Sequence, residues 1–392
     1  MTAPADWFPL RLPGAAADPA PGAHHALLAR KRRGCPVERL TSFGPGGGDV
    51  VVVYGYADVA GVLADDERFS LDVVDERYGA VLGRSLVTFG PAARRALRRA
   101  RHERFRPGEP DLARLREAVV AARLDAVAAA EGPVDLVPLL AAQVPARIVT
   151  ALIGLPEHEW AGVAELAAGA AVLLDEPRRA LRAARALRRR FAAVGRDGPP
   201  AGLLGTLTTA EVDGRPLDEA EVTASLLLLA WAGTETAFPA ILNCVYALLT
   251  HPDQAAAVRA EPGLAPSAAD EALRWEAPVQ VTARRARVDV EIAGTAVSRG
   301  TTVLVHLGAA NRDPRAFAEP DRFRIDRTDR RPHLAFGHGP HRCLGAQLAR
   351  AEVAACARGL LERFPGLRLA PESPPPRGQV VRSPRRLLVC TR

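Results

Sequence analysis

Cys343 closes the segment Phe336-Gly337-His338-Gly339-Pro340-His341-Arg342-Cys343-Leu344-Gly345, where a glycine-rich turn runs into the helical stretch Leu344 to Phe364. A sulfur placed there has a defined chemistry. The unpaired N–H groups and partial positive charge of a helix N-terminus stabilise a thiolate, and His341 and Arg342 add to that field, so the pattern predicts a sulfur able to ligate metal. Gly337, Gly339 and Gly345 remove side chains where the backbone needs open dihedrals or where a flat cofactor has to lie close. A structural cysteine in a tight turn is the ordinary reading of an isolated Cys. Here a whole ten-residue context is involved.

Two further constellations stand upstream. Ala232-Gly233-Thr234-Glu235-Thr236 sets a glycine, an acid and alcohols inside an otherwise apolar helical run, a break in local propensity of the kind that marks function or strain. A Thr bonding back to its own helix is the default alternative. Glu271-Ala272-Leu273-Arg274 puts an acid and a base at i and i+3 on one helical face. Alone, that pair is weak evidence, because such pairs are common on surfaces.

The elements that must position these residues follow from periodicity. Residues 1–49 are rich in Pro and Gly, with a helical patch at Ala26 to Arg32, and a strand follows at Asp49 to Tyr54 with its β-branched run Val50 to Val53. From Tyr56 to about Thr250 the pattern is mainly helical. The apolar stretch Val222 to Thr250 has the length of a membrane span, but Glu235, Pro239 and Asn243 interrupt it, which predicts a buried core helix. Strand-like alternation returns at Val279 to Val281, Val288 to Ile292 and Thr301 to His306. Residues 311–342 read as a long irregular loop, a feature that is usually functional in a compact domain. A helix over Leu344 to Phe364 and a terminal strand after Pro371 to Pro376 complete the chain. The expected fold is mainly α with a small β region, its β-rich portions roughly 37–56 and 279–306, all 392 residues forming a single large domain.

Bulk composition excludes several classes. With 48% hydrophobic and 25% charged residues the chain is globular rather than disordered. A net charge of +7 permits an acidic partner, but aromatic residues are only 5% and no zinc-finger, RRM or KH pattern accompanies the charge, so no nucleic-acid binding is expected. Five widely spaced cysteines, Cys35, Cys244, Cys343, Cys356 and Cys390, without CxxC pairs, argue against a disulfide framework or a zinc site. Met1 to Gly14 carries Arg11 and no long apolar run, which predicts a cytoplasmic protein with no membrane anchor.

The cysteine segment resembles the signature Phe-Gly-x-Gly-x-His-x-Cys-x-Gly of the cytochrome P450 family at every defined position, and the soluble bacterial, ferredoxin-dependent type fits best. The resemblance continues through Glu271-x-x-Arg274, Asn311-Arg312-Asp313-Pro314 and Pro320-Asp321-Arg322-Phe323. Weaker landmarks at Asp66 to Ser70, Ala151 to Pro156 and His251 to Gln254 fall in the expected order. It implies a haem b cofactor with Cys343 as the axial iron ligand, Phe336, Gly337 and Gly345 against the ring, and His341, Arg284 and Arg98 near the propionates. Relatives place a His where this chain has Arg94, so a contact from Arg94 is implied less directly. Glu271 and Arg274 would join Arg322 in a network that holds the cysteine loop.

The resemblance also implies a reaction. Dioxygen is the co-substrate, Ala232 and Gly233 leave room for it, Glu235 relays protons and Thr236 steadies the bound oxygen, with electrons passing from NAD(P)H through ferredoxin reductase and ferredoxin. The arginines 95, 99, 101, 104 and 106 would make a basic proximal face on which an acidic ferredoxin docks. Ala237 stands where relatives carry a second hydroxyl, Pro239 predicts a kink just beyond, and Trp231 is bulkier than the aliphatic residue usual there. Hydroxylation or epoxidation of a small, biosynthetic molecule is the expected activity. Oxidative C–C or C–O coupling of aromatic groups in a peptide or natural product is the second enzymatic reading, and a non-catalytic haem-binding protein the reading of another class.

Overall fold

The computed structural model describes residues 22–41, 48–73, 83, 85, 109–171, 182–183, 185–187, 189–191, 202–212, 214–328 and 331–392. Arg94, Arg98 and the other arginines of the segment Pro91 to Pro107 lie outside the described residues.

The first elements among the described residues are α1, Ala23–Gly34, and the antiparallel pair β1, Val37–Leu40, and β2, Val50–Val53. The valines of β2 are all buried because the strand is covered on both faces: Val51 and Val53 pack into one apolar cluster, Val50 and Val52 into another. After α2, Tyr56–Ala64, comes the short β3, Phe69–Ser70. Helices then dominate: α3, Pro110–Ala128; α4, Gln143–Ile153; α5, Glu157–Ala171; α6, Glu219–Glu235; α7, Ala237–Thr250; and α8, Ala265–Trp275. The strands β4, Val281–Ala286, and β5, Thr302–His306, complete a sheet ordered β1-β2-β5-β4-β3, in which β5 runs parallel to β2 and antiparallel to β4. The long helix α9, Ala346–Arg363, follows the cysteine segment, and a strand at Leu388–Cys390 ends the described fold.

The principal core lies where α3, α7, α8 and α9 meet, around Leu124, Leu242, Leu248, Leu273, Val353 and Leu360. Cys244 and Cys356 are buried there and behave as small apolar residues. Asn243 ties this core to its surroundings, its amide donating to the Glu276 and Arg382 carbonyls at 2.9 Å each.

The central apolar run differs from its sequence pattern in one respect: it is two helices, α6 and α7, broken at Thr236 with φ −101°. The cause lies downstream. Pro239 has no N–H to give to the carbonyl of Glu235, four residues back, and its ring crowds that oxygen, so the interruption falls ahead of the proline, at Thr236. Glu219–Thr250 is the one helical run among the described residues with the length and hydropathy of a membrane span, and 61% of its most apolar window is buried inside the protein.

Candidate active site

The cysteine loop is a tight return. The Cys343 amide donates to the Phe336 carbonyl at 2.8 Å, Gly337 N–H to Leu334 O at 2.9 Å, and a short 3-10 turn, Gly339–His341, carries the chain between them. Gly339 has to be glycine twice over. Its φ is +69°, and a Cβ there would stand 2.7 Å from the backbone of Leu63 and Ala64 at the end of α2. Gly337 shares the positive φ of +69° but has open space beside it. Gly345 caps α9 with an ordinary φ of −81°, so of the two reasons for a glycine there, backbone freedom drops out and close approach to a ligand stays. Cys343 is exposed in this structure, just ahead of the free N–H groups at the start of α9.

The loop is held from behind. Glu271 and Arg274 on α8 pair through two bonds of 2.8 Å with both side chains 3% exposed, and Arg274 also donates to the carbonyls of Asn311, Pro320 and Arg322. Asn311 passes the restraint on, its side-chain oxygen accepting the Leu334 N–H at 2.6 Å. The expected third member, Arg322, takes part through its backbone. Arg322 contributes its carbonyl to this network while its side chain bonds exposed Glu319, and Arg327 is the side chain that reaches Glu271, at 2.8 and 2.9 Å. Nothing in the local sequence separates Arg327 from the other arginines of 311–342. A second clamp also went unread: Asp270 accepts from His333 and Arg350, and the Arg350 guanidinium lies 4.8 Å from the Phe336 ring centre. These partners hold the Asp270 carboxyl well below the usual carboxylate range, although burial alone would raise it.

Across from the loop stand α6 and α7. Thr236 donates its hydroxyl to the Ala232 carbonyl at 3.1 Å, and Thr234 donates to Ala230 O at 2.8 Å. Both alcohols thus make the back-bonds that are the default for such residues. Gly233 is set by helix packing as much as by the space it leaves, because a Cβ there would meet Val149 Cγ2 of α4 at 2.7 Å. Trp231 joins the smaller apolar cluster around Val163 and Phe191 and does not line the cavity described next.

A cavity of about 840 Å³ separates the two walls. Cys343, Phe336, Gly337, His341 and Gly345 line one side; Ala232, Gly233, Thr236 and Ala237 line the other; Arg284 on β4 borders it, 4% exposed. Glu235 is half-buried and outside the lining. The remaining wall is mostly aliphatic, including Leu228, Leu229, Val149 and Val279. Asp66 lies 3.9 Å from His341. This donor set fits a haem: a soft sulfur ligand for iron, a flat approach over glycine, and cationic groups at the edge where buried carboxylates need them.

Known proteins agree with this reading. Residues 264–391 match the family model described as Cytochrome P450. The chain is 37% identical over 368 residues to Cytochrome P450 monooxygenase PikC of Streptomyces venezuelae, covering 90% of this chain and 86% of that protein. It is 34% identical over 369 residues to 6-deoxyerythronolide B hydroxylase of Saccharopolyspora erythraea, covering 88% and 89%. Among solved structures, a post-tailoring hydroxylase (HmtN) involved in himastatin biosynthesis superposes with a TM-score of 0.82 at 34% identity, covering 94% of this chain and 97% of the other. With the cysteine loop, its buried clamp and the facing helix break all in one cavity, the chain belongs to the cytochrome P450 family of monooxygenases, enzymes that use haem and dioxygen with electrons from redox partners.

Proposed function

We propose that the enzyme hydroxylates or epoxidises a small, largely aliphatic biosynthetic molecule, working as one domain in the cytoplasm. The observation that carries the reading is the single cavity with Cys343 on one wall and the Ala232 to Thr236 turn on the other. The relatives named above support this substrate class: one is named a 6-deoxyerythronolide B hydroxylase and another a post-tailoring hydroxylase involved in himastatin biosynthesis. Among the described residues lining the cavity, Phe336 belongs to the cysteine wall, and the side facing it is formed largely by Leu, Val and Ala. That lining suits hydroxylation of aliphatic carbon better than the pairing of two aromatic rings.

Cys343 would hold a haem, which would supply oxygen activation. The protein residues do the rest. Arg284 and His341 hold the propionates, with Arg98 and Arg94 as further partners from the segment outside the described residues. Thr236 sits at the helix break, where its hydroxyl can leave the Ala232 carbonyl and turn its Oγ1 into the cavity. Glu235, next to it and half-buried, delivers protons to that hydroxyl from the solvent side. Ala237 lines the cavity without a hydroxyl, so proton delivery on this wall rests on Thr236. Electrons come from NAD(P)H through ferredoxin reductase and a ferredoxin docked on the basic proximal face.

The test begins with the reduced protein under carbon monoxide, which should show a strongly red-shifted Soret band that Cys343→Ala abolishes; a colourless protein refutes the proposal. With a turned-over substrate, labelled dioxygen should leave one labelled atom in the product, whereas coupled rings carrying no label would establish the aromatic-coupling chemistry instead. Thr236→Ala should keep the haem and divert electrons to hydrogen peroxide, and unchanged coupling would remove Thr236 from its role.

A further inference from the structure

A second cavity, of about 460 Å³, opens between α1, the end of α7 and the end of α8, and shares no lining residue with the large one. Two of its lining residues hold buried polar atoms with no hydrogen-bond partner, Arg312 Nη2 and His25 Nδ1. We propose that this cavity binds a small molecule bearing a carboxamide, its carbonyl accepting from Arg312 Nη2 and its N–H donating to His25 Nδ1, with an apolar body against Trp275. The proposal is independent of the chemistry in the large cavity.

The arrangement of donors and acceptors selects that group. Arg312 is only 7% exposed at its side chain and is fixed on its other edges, Nε donating to Trp275 O at 2.8 Å and Nη1 to Asp321 at 3.1 Å, while the guanidinium lies 4.7 Å from the Trp275 ring centre. One N–H edge is left over and asks for an acceptor. His25 contacts Glu276 through Nε2 at 2.9 Å, and the other Glu276 oxygen takes Arg382 Nε at 3.0 Å. Burial works against a charge on Glu276, but His25 and Arg382 outweigh it and hold the carboxyl well below its usual range. Against an ionised carboxylate, Nε2 carries the imidazole proton, which leaves Nδ1 a bare lone pair that asks for a donor. The site thus wants an acceptor and a donor from one ligand.

A simple anion fails this requirement. A carboxylate turns a second lone pair towards Nδ1 and brings negative charge beside Glu276. The charges of Arg312 and Arg382 are already balanced by Glu276 and Asp321, so a neutral ligand is preferred. Trp275, Tyr246, Pro375 and Pro376 give the apolar walls that a body of one ring can use. The volume lies within the range of small-molecule sites, roughly 300–1,000 Å³.

Benzamide titrated into the haem-loaded enzyme, followed by ligand-observed NMR, tests this, with the Soret band recorded in parallel. Benzamide should saturate at least tenfold more tightly than benzoate, with no Soret change. Ala29→Trp, which adds bulk to the lining while leaving Arg312 and His25 in the chain, should weaken binding tenfold or more, and Arg312→Lys, which keeps the charge but not the free N–H edge, should do the same. Equal affinity in Ala29→Trp, benzoate binding as tightly as benzamide, or a Soret shift that tracks the titration overturns the proposal. So does a crystal structure with benzamide in which only water, or the residues before Gly22, fill the cavity.

Discussion

The two walls of the large cavity are built on opposite principles. The cysteine wall is over-determined: backbone bonds close the loop, a buried Glu271–Arg274–Arg327 cluster grips the segments that carry it, and Asp270 clamps His333 and Arg350 behind Phe336. The facing wall is apolar and held by helix packing, with a break at Thr236 and alcohols bonded only to their own helix. The difference teaches where rigidity is needed. In the proposed function Cys343 holds iron and has to be fixed, because small errors in placing a ligating atom are expensive, whereas Thr236, proposed to handle protons, has to change partners.

The largest expected effect comes from cutting the rigid wall. Arg274→Ala leaves the buried Glu271 carboxylate one partner short and frees three carbonyls, and removal of one member of a buried pair costs about 3–5 kcal/mol. Urea unfolding should report that loss, and the ratio of Soret to protein absorbance should fall several-fold. Wild-type haem content in this variant would mean that the clamp is not what places Cys343.

Acid acts on a different part of the scaffold, where α1 joins the sheet and carries buried histidines. His24 is buried beside Gln280 and its pKa is pushed down to about 4, chiefly by burial and then by Arg382; burial also lowers His25 and His306. The unfolded chain therefore binds these protons before the folded one does. Stability is complete above about pH 6.5 and falls as the pH drops towards 4, by on the order of 3 kcal/mol for His24 alone. Urea midpoints at pH 7 and pH 4.5 should differ accordingly, and His24→Gln should flatten the dependence. Parallel curves for the two proteins would assign the acid sensitivity elsewhere.

The smallest effect is expected on the facing wall. Gly233→Ala drives a methyl against Val149, an overpacking penalty of roughly 1–3 kcal/mol. Val149→Ala in the same chain should recover most of it, as a thermal-melt double-mutant cycle would show. Additive losses would mean that Gly233 serves the cavity rather than the contact with α4.

Much of the chemistry was legible in local sequence. The ten residues around Cys343, the acid and alcohol at Glu235 and Thr236, and the Glu271 to Arg274 pair could be placed on a loop exit and two helices because glycine, proline and apolar spacing act over a few residues. The β-branched run Val50 to Val53 similarly announced its own strand. Tertiary structure decided the partners. That Arg327 and not the Arg322 side chain completes the clamp, that Gly233 faces Val149, that Trp231 does not line the cavity, and that His25 and Arg312 both line a second one all depend on residues far apart in the chain. An arginine carries the same charge and the same fork wherever it stands, so its sequence neighbours do not say which buried carboxylate it meets; packing of distant elements alone settles that.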